Sequence, residues 1–136
     1  MKVLFIYCNE FGYKTSIKTL TNFPDKEESK TFNDTQVAFI HVEEKDMEQK
    51  NSILKRLINS IKWICRKNNT QNIILHSFAH LSESKAEPEF TYNFLNEVEA
   101  KLINSGYNVH QTPFGYFLDL NIKAPGFSLA RVFQEF

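Results

Sequence analysis

The stretch Asn72-Ile73-Ile74-Leu75-His76-Ser77-Phe78-Ala79-His80-Leu81-Ser82 decides the fold, because an apolar run leads into a short segment that carries an imidazole. Apolar residues without polar alternation are typical of a strand that is buried on both faces of a sheet. Binding crevices in α/β architectures open at the carboxyl ends of such strands. The stretch therefore predicts a central strand over Asn72–Leu75 and a functional edge next to His80.

Further strands are predicted wherever apolar residues cluster or alternate along the chain. Gly12 predicts a turn between the first two of them, and the polar segment from Thr21 to Asp34 predicts a surface loop. The strands predicted on these grounds are Lys2–Cys8, Tyr13–Leu20, Gln36–Val42, Tyr107–Gln111 and Tyr116–Ile122.

Two helices interrupt the strands. Apolar residues recur at spacings of three and four between Ile53 and Cys65, which is the pattern of an amphipathic helix. A second helix is predicted from Pro88, which suits a first helical position, to Gly106, which suits the residue after a helix end. Because only part of the chain alternates strand and helix, we predict an α+β fold: a mostly antiparallel or mixed β-sheet with two helices packed on one side.

Composition limits the class of protein. The 136 residues form one predicted domain, 1–136, with a formal net charge of zero. A zero net charge disfavours binding of nucleic acid over a broad surface, so any RNA contact is expected to be local. No apolar run approaches the length of a membrane span, and Cys8 and Cys65 show no pattern of secreted disulfides. We therefore expect a cytoplasmic protein that is not bound to a membrane.

Two loops carry the candidate chemistry. His80 follows the central strand, although a single histidine at such a place is also a common structural hydrogen-bonding residue. Pro113-Phe114-Gly115-Tyr116 joins two predicted strands, where glycine lets the backbone approach a ligand closely and proline restricts the loop; a plain turn explains it equally well. His76 and His80 do not share a helix face, and no dinucleotide or phosphate-loop motif is present, so no metal and no cofactor are expected.

Taken together, these motifs resemble the N-terminal editing domain of archaeal-type threonyl-tRNA synthetases over nearly the whole chain. The resemblance rests on segments that stand in family order: Met1-Lys2-Val3-Leu4-Phe5-Ile6, Val37-Ala38-Phe39-Ile40, Phe78-Ala79-His80-Leu81-Ser82, Gly106-Tyr107-Asn108-Val109 and Pro113-Phe114-Gly115-Tyr116. It implies a fold similar to that of D-aminoacyl-tRNA deacylase and hydrolysis of the mischarged ester L-seryl-tRNA(Thr). It also implies a homodimer that acts on the acceptor end of tRNA(Thr).

The resemblance implies a catalytic or orienting role for His80. Around it, the terminal adenosine and aminoacyl group would contact Val42, Ser77, Phe78, Ala79, Phe114, Gly115 and Tyr116. The family is thought to use backbone groups and the 2′-hydroxyl of the tRNA, with water attacking the ester. Serine differs from threonine by one methyl group, worth only ~1–3 kcal/mol in a binding pocket, so a synthetase benefits from a second, tighter site.

Three positions differ from the family pattern. Phe117 stands where the family usually has an aromatic residue with a polar tip, Leu118 where it has a lysine, and Arg131 where an ungapped alignment places a glutamate. Loss of one donor that acts in the transition state typically costs ~10²–10³ in rate. We expect Arg131 to return a positive charge to the pocket from the opposite wall, so Phe117, Leu118 and Arg131 join the candidate substrate-binding residues.

Two functions follow. The first is a trans-acting aminoacyl-tRNA deacylase with altered polarity in its site, and the second is a catalytically degenerate relative that binds an aminoacyl-adenosine, a tRNA end or a protein partner without turnover. The retained His80 and both loops favour the first, whereas Phe117 and Leu118 favour the second. A freestanding protein of this length would act beside a separate threonyl-tRNA synthetase, and an excised domain would act within one.

Overall fold

A computed structural model describes all residues, 1–136. The strands are β1 (Lys2–Lys18), β2 (Ser29–His41), β3 (Asn72–Ser77), β4 (Asn108–Gln111), β5 (Tyr116–Lys123) and β6 (Arg131–Glu135). The helices are α1 (Lys50–Lys67) and α2 (Pro88–Asn104), and single turns of 3₁₀ helix cover Glu44–Glu48 and Ser128–Ala130.

All strands belong to one mixed sheet. Its order is β4-β3-β2-β1-β5, and β6 also pairs with β1. The strands β2, β3 and β4 are parallel to each other, whereas β1 runs antiparallel to β2, β5 and β6. The start of β1 pairs with β6 and its second half pairs with β5. The predicted mixed sheet is therefore confirmed.

The helices cover one face of the sheet, as predicted. The larger core joins the apolar stripe of α1 and that of α2 to Val3, Phe5, Ile40 and Leu75 of the sheet. A smaller core on the opposite face contains Cys8, Phe11, Tyr13, Val37, Phe39 and Ile74. Burying aliphatic and aromatic side chains in this way contributes roughly 1.5–3 kcal/mol per residue. Neither α1 nor α2 combines the length and the apolar character of a membrane-spanning helix.

Two sequence predictions were wrong at the first strands. Gly12 is not a turn but lies inside β1, opposite Thr31, and the predicted separate strands are one strand, Lys2–Lys18. A Cβ at Gly12 would lie 3.3 Å from Thr31 Oγ1, so glycine relieves crowding between strands. The predicted loop also begins and ends earlier, because its last residues, from Ser29 onward, pair with β1 despite their polar side chains.

The ends of the chain meet at the edge of the sheet. The Phe136 amide donates to the Met1 carbonyl at 2.9 Å, and the Met1 amino group lies 3.3 Å from the Phe136 carbonyl oxygen. The same amino group is buried and forms ion pairs with Glu43 at 2.8 Å and Asp46 at 3.0 Å. The start of β1 is therefore held to the segment that follows β2.

The sheet topology brings the ends of two strands together at one edge, where a ligand could bind. Because β2 and β3 are parallel neighbours, their carboxyl ends lie side by side, with Ile40 opposite Ser77. Two backbone bonds continue this contact past the strand ends, from the Phe78 amide to the Ile40 carbonyl at 2.9 Å and from the Ala86 amide to the Val42 carbonyl at 3.0 Å. The start of β5 pairs with the end of β1, where Tyr116 lies opposite Lys18.

Candidate functional site

A cavity of about 470 Å³ lies at this edge. Its two walls come from different parts of the chain: an imidazole wall, made of residues 40–42, 76–80, 85 and 86, and a glycine wall, made of residues 113–118 and 120. The sequence-predicted residues that line it are Val42, Ser77, Phe78, Ala79, His80, Phe114, Gly115, Tyr116, Phe117 and Leu118. The two predicted loops therefore face each other across one space.

His41 holds the imidazole wall in place. Its side chain is buried and accepts a hydrogen bond at Nδ1 from the Leu81 amide at 3.0 Å. Its Nε2 donates to the Ser84 carbonyl at 2.7 Å, so the hydrogen bonds assign the tautomer with the proton on Nε2. Both ring nitrogens are used to fix the segment that follows His80.

Glu43 adds a second attachment for the same segment. One of its oxygens accepts from the Met1 ammonium at 2.8 Å and the other accepts from Ser82 Oγ at 2.8 Å. Burial alone would raise the pKa of Glu43, but the hydrogen bonds from the ammonium and from Ser82 outweigh it and lower the pKa to about 2. The carboxylate is therefore ionised and links the start of the chain to the loop after His80.

His76 brings an uncharged imidazole to the cavity. Its Nδ1 lies 2.8 Å from Thr112 Oγ1, and its ring packs edge-on against Phe39. Burial, and secondarily the proximity of His80, lower the pKa of His76 to about 4, so the ring is neutral at physiological pH. His80 itself is exposed at the cavity and packs edge-on against Phe78, with ring centroids 4.9 Å apart.

The glycine wall is held through its backbone. The Gly115 carbonyl accepts from the Thr19 amide at 2.7 Å, the Leu20 amide at 3.2 Å and Thr19 Oγ1 at 3.1 Å. Gly115 has a φ of +83°, a conformation that favours glycine, so the predicted need for glycine here has a definite backbone origin. The loop thereby docks on the end of β1.

The rest of the glycine wall is apolar. Phe114 packs against Phe23 at 4.9 Å between centroids, and Phe117, Leu118 and Leu120 follow along β5. No carboxylate lines the cavity, and Lys85 is the one lining residue with a permanent charge. Most of the polar side chains that line the cavity therefore belong to the imidazole wall.

Arg131 does not lie at this site. It is exposed on β6, where it pairs with Ile6, and it is not among the residues that line the cavity. The cavity-lining part of β5 pairs with the other half of β1, between Tyr13 and Lys18. The expectation that Arg131 restores a positive charge to the pocket is therefore wrong, since separate halves of one long strand hold the two segments.

Sequence reasoning missed several lining residues. His41 sits within an apolar strand, so nothing in the local pattern marks it as polar chemistry, although the shared edge of β2 and β3 would have indicated its position. Thr19 and Leu20 line the cavity although they fall at the end of a predicted strand, and Lys85 lines it without belonging to any motif. No group of three or more His, Cys, Asp or Glu side chains is arranged to hold a metal ion.

Comparison with solved structures identifies the fold. The chain superposes on a protein described as "c-Myc DNA Unwinding Element Binding Protein" with a TM-score of 0.73, covering 99% of this chain and 98% of that one. At 12% identity this likeness concerns the fold alone. The predicted D-aminoacyl-tRNA deacylase-like fold is confirmed.

Comparison of sequences identifies the family. The threonine–tRNA ligase of Thermococcus onnurineus is 32% identical over 135 residues, and that of Pyrococcus furiosus is 29% identical over 135 residues. Each match covers 97% of this chain but 22% of the relative, so the chain spans about a fifth of their length. The family model for the archaea-specific editing domain of threonyl-tRNA synthetase matches residues 1–136. The chain therefore belongs to the family of archaea-specific editing domains of threonyl-tRNA synthetase, which indicates a role in tRNA editing.

Proposed function

We propose that this protein hydrolyses the ester of mischarged L-seryl-tRNA(Thr), in trans when freestanding. The observation that carries the proposal is the cavity itself, in which His80 and the backbone of the Pro113–Tyr116 loop face each other. In the reaction, water attacks the ester carbonyl, the bond between that carbon and the ribose 3′-oxygen breaks, and a proton passes to the ribose oxygen. Serine and tRNA(Thr) are released.

The lining residues have different roles in this proposal. Val42, Ser77, Phe78 and Ala79 stand on one side of the terminal adenosine and Phe114–Leu118 on the other, while His80 orients the aminoacyl ester. No carboxylate lines the cavity, and the proposal gives His80 an orienting role. Water activation is assigned to backbone groups and the 2′-hydroxyl of the substrate. Discrimination against threonine would come from its extra methyl group, worth ~1–3 kcal/mol.

The second candidate is a relative that binds an aminoacyl-adenosine, a tRNA end or a protein partner without turnover. Phe117 and Leu118 favour it, because they make the glycine wall apolar. An apolar wall supplies shape but no donor for charge that develops on the ester carbonyl, and one such donor is typically worth ~10²–10³ in rate.

Deacylation separates the two candidates. Purified protein is incubated with L-seryl-tRNA(Thr), L-threonyl-tRNA(Thr) and D-aminoacyl-tRNAs, and the remaining ester is followed over time, with His80→Ala as the matched variant. The proposed function requires faster loss of the seryl ester than in buffer, little loss of the threonyl ester and a slower rate for the variant. No turnover on any substrate would remove the deacylase and leave the binding protein.

We also propose that the protein forms a homodimer and, when freestanding, serves a separate threonyl-tRNA synthetase. Exposed apolar side chains on one face of the edge strand β5, Leu120 and Ile122, support an interface between copies. Sedimentation equilibrium tests the assembly: the mass of a dimer is expected at micromolar concentration, and a monomer throughout would contradict it.

A further inference from the structure

We propose that Lys85 binds the 5′-phosphate of the terminal nucleotide of the substrate and so sets the direction in which that nucleotide enters the cavity. The inference rests on the proposed function, since it assumes that the cavity receives an aminoacylated nucleotide. It adds a residue that recognises an anionic group. Neither of the two predicted loops supplies such a residue.

The charge of the cavity points to an anion. Among the residues that line it, Lys85 alone has a permanent charge, and no aspartate or glutamate accompanies it. The ring of His76 is neutral, so this buried imidazole adds no competing positive charge, and both nitrogens of His41 are already engaged with Leu81 and Ser84. Lys85 is itself exposed, so its attraction for an anion is screened by solvent and salt and is expected to be modest.

The lysine is also free to bind. Lys85 forms neither an ion pair nor a side-chain hydrogen bond within the chain, whereas Lys2, Lys18 and Lys50 are each paired with a carboxylate. An unpaired ammonium is common on a surface, and what distinguishes this one is its place at a cavity that holds no acid.

The backbone on both sides of Lys85 is fixed. The Ser84 carbonyl accepts from His41 Nε2 at 2.7 Å, Ser84 Oγ accepts from the Glu44 amide at 3.1 Å, and the Ala86 amide donates to the Val42 carbonyl at 3.0 Å. A flexible side chain therefore starts from a well-held point, which lowers the entropy lost when it binds a ligand. The attachment to Val42 also places Lys85 beside the residue expected to contact the adenosine.

The chemistry of the substrate fixes which end meets the lysine. An aminoacylated nucleotide carries negative charge at its phosphate, whereas its α-amino group is largely protonated near neutral pH and is repelled by an ammonium. The phosphate therefore lies at Lys85, and the aminoacyl ester lies away from it. A lysine offers a phosphate a point charge with rotatable donors, so its replacement by arginine preserves the attraction.

Binding of two matched analogues tests the proposal. The probes are 3′-deoxy-3′-(L-serylamino)adenosine, which cannot be hydrolysed as an ester, and the same compound with a 5′-phosphate. By calorimetry in 50 mM salt, the wild-type protein is expected to bind the phosphorylated analogue roughly 3–10-fold more tightly, an advantage that shrinks in 200 mM salt. Lys85→Ala is expected to abolish the difference and Lys85→Arg to keep it.

Lys101→Ala is the control, because it removes an exposed lysine of α2 that does not line the cavity. It is expected to bind both analogues as the wild-type protein does. Equal affinity of the wild-type protein for the two analogues, or a preference that survives in Lys85→Ala, overturns the phosphate site while leaving the deacylase standing. Failure to bind either analogue also overturns it, and the deacylation assay then decides the proposed function separately.

Discussion

The two walls of the cavity are built on different principles. The imidazole wall is held by side chains: His41 and Glu43 attach the segment after His80 through hydrogen bonds to Leu81, Ser82 and Ser84. The glycine wall is held by its backbone, through the Gly115 carbonyl, and presents apolar side chains to the cavity. Sequence changes should therefore alter the first wall through lost polar partners and the second through strain or added charge.

Removing His41 should have the largest effect. His41→Ala leaves the Leu81 amide and the Ser84 carbonyl without their partners and opens a space in a buried position, so we expect the free energy of unfolding to fall by about 3 kcal/mol. Urea unfolding measures the change, and Ser84→Ala, which keeps the backbone carbonyl, should cost less than about 1 kcal/mol. Equal costs for the two variants would show that the ring does not hold this wall.

Acid should weaken the imidazole wall next. The pKa of Glu43 is lowered to about 2 in the folded protein, below the ordinary value near 4.5, so the unfolded chain binds the proton more readily. The stabilisation is complete above about pH 5 and is lost as the pH falls towards 2, and its full size is on the order of 3 kcal/mol.

Unfolding in urea between pH 7 and pH 2.5 measures this dependence. Glu43→Gln should lose stability at pH 7 and show a flatter profile below pH 5. The matched control is Glu135→Gln, which removes an exposed carboxylate paired with Lys2 at 3.0 Å and should change little. A Glu43→Gln profile as steep as that of the wild-type protein would assign the acid sensitivity elsewhere.

Backbone strain at Gly115 should destabilise the glycine wall. Gly115→Ala places an L-residue at a φ of +83° with its Cβ 3.1 Å from Leu20 Cβ, so we expect a loss of about 2 kcal/mol in the free energy of unfolding. Gly106→Ala meets nothing within 4 Å at a φ of +90° and isolates the conformational cost, about 1 kcal/mol.

Gly126→Ala completes the series, because it has open space and no such φ, and it should stay within about 0.5 kcal/mol of the wild-type protein. The same urea titrations rank the three variants. If Gly115→Ala lowers the free energy of unfolding no more than Gly106→Ala does, the close contact with Leu20 does not constrain the glycine wall.

Adding charge to the glycine wall should have the smallest effect. Leu118→Lys places a donor where the family usually has one, and we expect the rate of seryl-tRNA(Thr) deacylation to rise about tenfold, or about 1.4 kcal/mol. Leu120→Lys adds the same charge two residues along the same cavity-lining strand and should raise the rate less. No gain, or equal gains, would mean that the missing lysine does not limit this site.

The local pattern of apolar residues predicted the central part of the fold. The helices and the apolar strands follow from periodicity, because burial selects the residues there. The α+β class follows from the partial alternation of strands and helices along the chain. The segment Ser29–Asp34 escaped this reasoning, since its side chains are mostly exposed and only pairing with β1 makes it a strand. The turn predicted at Gly12 is wrong for a related reason: the sequence alone does not distinguish a glycine that lies between two paired strands from a glycine in a turn.

The sequence predicted the loops that line the candidate site but not the residues that hold those loops in place. The residues from Ser77 to His80 and from Phe114 to Leu118 line the cavity, but their attachment depends on long-range contacts of His41, Glu43 and Thr19. Such contacts join positions distant in sequence and leave no local periodicity. The position of Arg131 in an ungapped alignment does not predict its position in space, because its strand pairs with the first half of β1, away from the cavity-lining part of β5.

The meeting of the two chain ends has a practical consequence. Because Met1 and Phe136 are hydrogen-bonded to each other, a short peptide could join them and new ends could be cut near Pro24, which gives a circular permutant with every strand in its present place. The linkage would turn the Met1 ammonium into a neutral amide and so take a positive charge from Glu43. Such a rewired chain would keep its architecture while loosening the loop that carries His80.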